Sequence, residues 1–170
     1  MEFKKYDHKL EEKKISDFWI KKGLFKPKKN KFNKKFSVVI PPPNITGRLH
    51  MGHALNNSLQ DVLVRFNRMR GLETLWQPGT DHAGIATQAV VEKNLIKIGV
   101  KKNDLGREKF LKKVWEWRKE SGGVILDQLK KLGCSCDWSR TRFTMDKDLS
   151  KAVIKVFVDL YNNKIIYKDK

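Results

Sequence analysis

Two histidines, His50 and His53, enclose a methionine and a glycine in the order H-x-G-H, a spacing suited to phosphate chemistry. The unit follows an apolar run and precedes a stretch of helical periodicity, so it lies between a strand and a helix N-terminus. Backbone N–H groups and the helix dipole favour an anion there, and two imidazoles add hydrogen-bond donors. Gly52 leaves room for a flat ring against the backbone. The pattern therefore predicts a nucleotide site that stabilises charge on a phosphoryl group.

By itself, H-x-G-H also has a purely structural interpretation, with His50 as a turn residue and His53 on the surface of the helix N-terminus. The position of the motif separates the two interpretations, because it follows a predicted buried strand and three consecutive prolines. In an open α/β sheet, ligands bind at the carboxyl ends of the strands. The surrounding sequence therefore favours the nucleotide site.

Three sequence blocks resemble, in the same order, the signatures of the class I aminoacyl-tRNA synthetases in the form used by valyl enzymes. The first is P-P-P-N-I-T-G-R-L-H-M-G-H at residues 41–53, and the second is L-W-Q-P-G-T-D-H-A-G-I-A-T-Q at 75–88. The third, D-W-S-R-T-R-F-T-M-D at 137–146, is similar to a segment of the valyl, leucyl and isoleucyl group. The resemblance covers about residues 36–167, too much of the chain for a chance similarity.

The resemblance implies a valine–tRNA ligase that converts valine and ATP to valyl-adenylate and then transfers valine to tRNA(Val). It implies that His50 and His53 are catalytic, binding the ATP phosphates and stabilising the transition state. Gly52 would face adenine, and Thr46 would belong to the same ATP site. Mg²⁺ would accompany ATP and bridge its phosphates, with no metal ion held by the protein itself.

For the amino-acid substrate, the resemblance implies that Pro42 and Asn44 border the pocket and that Asp81 pairs with the amino group of valine. The chemistry agrees, since an ammonium group needs a carboxylate and Asp81 follows the second predicted strand near the same sheet edge. A structural interpretation of Asp81 stays open, as a turn or helix-capping residue after Gly79 and Thr80.

The elements that must position these residues follow from hydrophobic periodicity and from proline and glycine. The sequence predicts a strand at 36–40, a helix between Gly47 and Gly71, a strand at 73–77, a loop at 78–84 and a helix at about 86–98. This repeated strand–loop–helix order predicts an α/β fold with a parallel sheet. With the resemblance, it becomes the first half of a Rossmann-like class I synthetase sheet with flanking helices.

The remaining segments are predicted to be mostly helical. Residues 1–35 form a short amphipathic helix and a Lys-rich link, and residues 36–170 form the first half of the catalytic domain. A helical stripe runs from about residue 107 and is interrupted at Gly122-Gly123, and a last helix spans about 149–162. The apolar run Ile165-Ile166-Tyr167 is a predicted strand.

The net charge of +18, from 37 Lys and Arg against 19 Asp and Glu, is compatible with a nucleic-acid partner. The basic residues comprise 29 Lys and 8 Arg, so a Lys-rich composition is an alternative explanation. The tryptophans fit base stacking less well than packing on helical stripes. Cys134 and Cys136 lack the further ligands of a metal site, which predicts two reduced thiols. With no membrane span or signal peptide in the sequence, we expect a cytoplasmic protein.

Other parts of the synthetase family have no counterpart in this sequence, including a K-M-S-K-S-like loop and the editing and anticodon-binding domains. We therefore expect an amino-terminal catalytic fragment that is truncated near the editing insertion and depends on missing C-terminal domains. An alternative is a non-catalytic, basic RNA-binding remnant or paralogue, which the missing lysine loop favours. The intact set of His50, Gly52, His53 and Asp81 favours the enzyme. A different nucleotidyltransferase with H-x-G-H fits the proline-rich block less well.

Overall fold

The described residues of this computed structural model, 5–29 and 34–169, form five helices and four short strands. In chain order these are α1 (His8–Lys21), β1 (Lys35–Val39), α2 (Met51–Met69), β2 (Glu73–Gln77), β3 (Gly79–Thr80), α3 (Ile85–Lys97), α4 (Lys102–Lys131), β4 (Arg142–Phe143) and α5 (Lys147–Asn162). A single 3₁₀ turn at Trp138–Arg140 precedes β4.

The parallel pair of β1 and β2, connected through α2, forms the centre of the fold. Residues 35–39 lie in register with residues 73–77, and the Ile40 N–H donates to the Gln77 carbonyl at 3.0 Å. The β-branched and aromatic side chains of these strands favour extended backbone. The three prolines after Ile40 lack an N–H donor, so the pairing ends there and the chain leaves the sheet.

Two apolar cores join helices α2, α3 and α4 to this unit. The larger one contains Ile40, Ile45, Val64, Trp76, Ile125, Leu129, Cys134, Cys136 and Phe143, and the smaller one contains Val91, Leu95 and Phe110. The indole N–H of the fully buried Trp76 donates to the side chain of Gln60 at 3.0 Å, which satisfies its one polar group. Helix α4 contributes to both cores, so it fixes the two halves of the chain relative to each other.

A second parallel pair, β3 with β4, continues from the end of β2. Gly79 pairs with Arg142 and Thr80 with Phe143. Gly79 is required by this close approach, because a Cβ atom at that position would lie 2.9 Å from the backbone oxygen of Arg142. The pairing brings the segment around residue 144 to the end of the central sheet.

The predicted α/β fold with parallel strands and flanking helices is confirmed, and the two predicted strands at its centre lie within one residue of β1 and β2. Two other predictions are wrong. Ile165-Ile166-Tyr167 forms a bend after α5, where Ile165 and Tyr167 are exposed and pair with no described strand. Gly122-Gly123 does not interrupt α4, whose break lies at Gly106 with φ 71° and ψ 169°.

The amino-terminal helix α1 is attached through contacts between aromatic rings and arginines. The guanidinium carbon of Arg65 lies 5.2 Å from the Trp19 ring centroid, and that of Arg68 lies 5.6 Å from the Phe25 ring centroid. Arg68 also donates to the Phe25 carbonyl at 3.1 Å. The predicted Lys-rich link includes residues 30–33, which lie outside the described residues, so the division at residue 35 stays a prediction. In the described part of the chain, no helix combines the length and apolarity of a membrane span.

Candidate active site

The H-x-G-H unit forms a reciprocal cap on the N-terminus of α2. The Nδ1 atom of His50 accepts the Gly52 N–H at 3.1 Å, and the Nδ1 atom of His53 accepts the His50 N–H at 3.2 Å. The two ring centroids lie 3.9 Å apart. Such a cap satisfies N–H groups that have no partner within the helix. The two residues predicted to be catalytic are therefore held together by the helix that they begin.

These hydrogen bonds determine which nitrogen of each ring carries the proton. A neutral imidazole has one donor nitrogen and one acceptor nitrogen. Because both Nδ1 atoms accept from backbone N–H groups, the network assigns the proton of each neutral ring to Nε2. Each ring thus offers an Nε2–H donor at a helix N-terminus, where the dipole also favours an anion. The arrangement provides two donors for phosphate oxygens.

The charge state of His53 is set by its surroundings. Burial, and then the neighbouring His50, lower the pKa of His53 below its ordinary value of 6.5. At pH 7 this ring is therefore neutral, with Nδ1 free to accept and Nε2–H free to donate. Protonation of Nδ1 at lower pH would remove the acceptor for the His50 N–H, so the cap and the neutral ring support each other.

Two further residues of the predicted ATP site lie beside this cap. Gly52 is exposed in the first turn of α2, and a Cβ atom there would lie 2.9 Å from Cε1 of the His50 ring. The absence of a side chain therefore lets that ring fold over the turn. Thr46 is half-buried in the turn that precedes α2. The contacts of both residues with ATP stay predictions.

Helix α4 fixes the loop that carries the first motif. The indole N–H of Trp117 and the hydroxyl of Ser121 both donate to the Ile45 carbonyl, at 2.7 and 3.1 Å. The Gln128 side chain accepts the Leu49 N–H at 3.0 Å. Sequence analysis missed these anchors, although polar side chains on the inner face of a long helix were an available signal, since buried polar groups need partners.

Pro42, Asn44 and Asp81, predicted to border the amino-acid pocket, lie together across a short parallel bridge. Asn44 pairs with Asp81, and the Asp81 N–H donates to the Pro43 carbonyl at 2.8 Å. Pro42 lies beside Gly79, where a Cβ atom would be 4.0 Å from that of Pro42. The structure thus brings the three predicted residues together, and their contacts with an amino acid stay predictions.

Both groups of residues lie at the carboxyl end of the central strand pair. The loop after β1 carries the prolines and leads to His50, and the segment after β2 carries Asp81. Because β1 and β2 are parallel, the two segments leave the sheet at the same edge. Ligands of open α/β sheets bind at this edge. The arrangement is suited to bringing a nucleotide phosphate and an amino acid close together.

The side chain of Asp81 has two polar neighbours that sequence analysis missed. The Thr144 hydroxyl donates to Asp81 Oδ1 at 2.9 Å, and Nδ1 of His82 lies 3.2 Å from the same oxygen. Thr144 belongs to the third sequence block, but no spacing within that block indicates its partner. The contact results from the β3–β4 pairing, which joins segments more than 60 residues apart.

The two cysteines lie in the larger core. Burial, and then the nearby Asp61, raise the pKa of the Cys134 thiol to about 12. Burial also raises the pKa of Cys136, whose side chain is fully enclosed. A thiol that stays protonated is a poor nucleophile and a poor metal ligand. Within residues 5–29 and 34–169, no group of three or more His, Cys, Asp or Glu residues has a metal-binding arrangement.

Comparison with known proteins gives a consistent family. The sequence model described as tRNA synthetases class I (I, L, M and V) matches residues 14–170. The chain is 68% identical over 166 residues to the valine–tRNA ligase of Pelagibacter ubique. This alignment covers 98% of this chain and 19% of that protein. It is 62% identical over 158 residues to the valine–tRNA ligase of Syntrophotalea carbinolica, covering 93% of this chain and 18% of that protein.

The fold is also similar to that of a solved structure, the ternary LeuRS-tRNA-LeuAMS complex with agnB2 LeuRS of Agrobacterium radiobacter K84. The TM-score is 0.78 and the sequence identity 25%, over 97% of this chain and 19% of that one. This chain therefore spans about a fifth of the length of the curated relatives that it matches.

Proposed function

Because the chain belongs to the class I tRNA synthetases, we propose that it is part of a valine–tRNA ligase and carries the ATP-binding and amino-acid-binding half of the active site. The observation that carries this proposal is the reciprocal cap formed by His50 and His53. This cap places two Nε2–H donors at a helix N-terminus, which lies at the carboxyl edge of a parallel sheet. Identities of 68% and 62% to two valine–tRNA ligases support valine as the amino acid.

In the proposed first step, a carboxylate oxygen of valine forms a bond to the α-phosphorus of ATP. The bond from that phosphorus to the β-phosphate bridging oxygen breaks, and pyrophosphate leaves with the electron pair. Negative charge grows on the phosphate oxygens as this happens. The Nε2–H groups of His50 and His53 donate hydrogen bonds to those oxygens, and fixed donors of this kind stabilise the transition state.

The amino acid is held by a second group of residues at the same sheet edge. The carboxylate of Asp81 pairs with the ammonium group of valine, while Pro42 and Asn44 border the pocket. Gly52 faces adenine, and Thr46 completes the ATP site. In the second step, a terminal ribose hydroxyl of tRNA(Val) attacks the activated carbonyl carbon, and AMP is the leaving group.

Several partners follow from this proposal. Mg²⁺ would accompany ATP as part of the substrate and would supply positive charge to its phosphates, and no described residue is assigned to it. The segments that correspond to the other four-fifths of the relatives supply the rest of the active site and of the tRNA interface. We assign residues 1–35 to an N-terminal helix and link and residues 36–170 to the first half of the catalytic domain. With these substrates, we propose that the protein acts in the cytoplasm.

The test uses a hybrid ligase, in which this chain replaces the corresponding segment of the Pelagibacter ubique valine–tRNA ligase. We expect the hybrid to catalyse valine-dependent ATP–pyrophosphate exchange at a rate close to that of the parent enzyme. His53→Ala and His50→Ala should each lower kcat by about 100-fold or more, because each removes one donor to the phosphoryl group. His8→Ala, at the exposed start of α1, is the matched control and should leave the rate unchanged.

Thermal melting of every variant accompanies the kinetics. A hybrid that melts like the parent but has no exchange activity would overturn the proposed function. Binding of tRNA by the 170-residue chain alone, together with an inactive hybrid, would favour the non-catalytic RNA-binding alternative instead. If the hybrid is active but its His53→Ala variant exchanges at nearly the normal rate, the proposed function stands and the catalytic role of the His53 ring is refuted.

A further inference from the structure

The strand β4 places one hydroxyl group next to the Asp81 carboxylate. Beyond the β3–β4 pair, the Thr144 N–H donates to the Thr80 carbonyl at 3.2 Å, which continues the pairing by one residue. Thr144 therefore lies beside the residue that follows Thr80. Its hydroxyl oxygen is 2.9 Å from Asp81 Oδ1, a normal hydrogen-bond distance.

A tight turn fixes the position of this hydroxyl. The side chain of Asp146 accepts the Phe143 N–H at 2.9 Å, and the Asp146 N–H donates to the Phe143 carbonyl at 2.8 Å. The guanidinium carbon of Arg118 lies 4.5 Å from the Phe143 ring centroid, which attaches the turn to α4. Both sides of Thr144 are thus held, so its hydroxyl has a defined location rather than that of a mobile surface group.

His82 makes two contacts with the same hydroxyl. Its backbone N–H donates to Thr144 Oγ1 at 3.0 Å, and its ring Nδ1 lies 2.6 Å from that oxygen. A hydroxyl has one proton to donate and two lone pairs that accept. If Thr144 donated to His82, the lone pairs of Oγ1 and of Asp81 Oδ1 would face each other at 2.9 Å, which is repulsive.

The favourable arrangement is the opposite one. The Thr144 hydroxyl donates its proton to Asp81 Oδ1, while the backbone N–H and the ring Nδ1–H of His82 both donate to Thr144 Oγ1. The ring proton of neutral His82 is therefore on Nδ1. The same Nδ1 lies 3.2 Å from Asp81 Oδ1. Because an ionised carboxylate oxygen can only accept hydrogen bonds, a proton on Nδ1 suits this contact as well. One carboxylate oxygen is therefore fixed by its neighbours among the described residues, and the other oxygen, Oδ2, is assigned to the ligand in the inference below.

We propose that Thr144 is a positioning residue for amino-acid binding: its hydroxyl, itself fixed by His82, orients the Asp81 carboxylate toward the ammonium group of the substrate. This inference rests on the proposed function, which assigns the ammonium group to Asp81. A carboxylate that is already oriented loses less conformational freedom on binding than one that rotates freely. The third sequence block then has a specific role, since it supplies this hydroxyl to a residue of the second block.

The test measures pyrophosphate exchange by the hybrid ligase with Thr144→Val, which removes the hydroxyl and keeps the branched shape. We expect the KM for valine to rise about 10-fold, the effect of losing one hydrogen bond to a charged group, with the KM for ATP unchanged. Thr144→Ser keeps the hydroxyl and should restore the KM to within about two-fold. Thr141→Val is the matched control, because the Thr141 hydroxyl donates to the Trp138 carbonyl and not to Asp81. It should change neither KM.

Two further variants separate this inference from the proposed function. Asp81→Asn should raise the KM for valine more than Thr144→Val does, and adding Thr144→Val to Asp81→Asn should have little further effect. An unchanged KM in Asp81→Asn would refute the assignment of the ammonium group to Asp81. A raised KM in Asp81→Asn with an unchanged KM in Thr144→Val would refute only the positioning role. Should Thr144→Val lower the melting temperature, Thr144→Ala removes the hydroxyl without placing a methyl group against Asp81, and the same KM criteria apply.

Discussion

The imidazoles of His50 and His53, proposed to be catalytic, show how a side chain gains a fixed orientation from local backbone. Each Nδ1 accepts one N–H group of the first turn of α2, so ring position and tautomer follow from helix formation itself. The two hydrogen bonds take the place that Ser, Thr or Asp side chains usually fill at a helix N-terminus. Because residue 52 has no side chain, the His50 ring can lie over this turn.

Because of this geometry, replacing Gly52 by alanine should affect the kcat for exchange much more than the free energy of unfolding. In Gly52→Ala the new Cβ would lie 2.9 Å from Cε1 and 3.1 Å from Nδ1 of His50, so the ring must rotate away from the turn. Alanine favours the helix by up to about 1 kcal/mol over glycine, which offsets the lost cap. We expect the free energy of unfolding to change by less than about 1 kcal/mol, while the kcat for exchange in the hybrid ligase falls at least about 10-fold.

Urea unfolding and exchange kinetics on the same protein check this expectation. Gly47→Ala is the control, because no heavy atom lies within 4 Å of a Cβ atom built at Gly47. An unchanged kcat in Gly52→Ala would mean that the His50 ring position does not matter for phosphate chemistry.

Helix α4 positions the site although none of its residues belongs to a recognised signature. Trp117, Ser121 and Gln128 hold the loop that carries the first motif. Ser121 and Ile125 are buried on either side of Gly122-Gly123, and this packing keeps the helix continuous where glycine alone would weaken it. At Gly106 the helix is broken because the backbone there has a positive φ, which is not a helical conformation. Glycine adopts it readily and other residues rarely do.

The two kinds of glycine in α4 should respond oppositely to alanine. At Gly123 a Cβ atom would meet no heavy atom within 4 Å, and the backbone is helical, so Gly123→Ala should stabilise the protein by about 0.5–1 kcal/mol. At Gly106, with φ 71°, the same change should destabilise it by about 1 kcal/mol or more. Chemical denaturation of the 170-residue chain and the two variants measures both. A loss of stability in Gly123→Ala would show that α4 is not continuous there.

The sequence allowed the long elements to be predicted, because an apolar period sustained over ten or more residues distinguishes a helix from a strand. Helices α2, α3 and α5 and strands β1 and β2 are predicted in this way. The periodicity did not predict burial, since the periodic apolar faces of α2 and α5 are exposed in the described chain. The histidine pair follows from its spacing and Asp81 from the family resemblance, and the roles of these residues stay predictions. The two-residue strand β4 has no period to detect, so its pairing with β3 was missed. The partnership of Thr144 with Asp81 was missed with it. At Ile165 and Tyr167 the composition favoured a strand, but extended structure also requires a neighbouring strand.

Two helices of the described chain carry the largest sets of exposed apolar side chains. On α2 the exposed apolar side chains are Met51, Leu55, Leu59, Val62, Leu63, Phe66 and Met69, and on α5 they are Val153, Ile154, Val156, Phe157, Val158 and Tyr161. Such contiguous apolar faces usually mark contact surfaces. The curated relatives are about five times longer than this chain, so further protein is available to cover these faces in a complete ligase.

A substitution on α5 distinguishes an exposed face from a covered one. Phe157 is 62% exposed, so Phe157→Glu should change the unfolding free energy of the 170-residue chain by no more than about 0.5 kcal/mol. It should also reduce binding of an apolar dye and self-association, because the patch becomes charged. In the hybrid ligase the same carboxylate would be buried without a partner, and the stability should fall by more than about 1 kcal/mol. Asn162→Glu, also exposed on α5, adds the same charge away from this face and should leave both proteins unchanged. Equal tolerance of Phe157→Glu in the chain and in the hybrid would show that the face of α5 stays open to solvent in the complete enzyme.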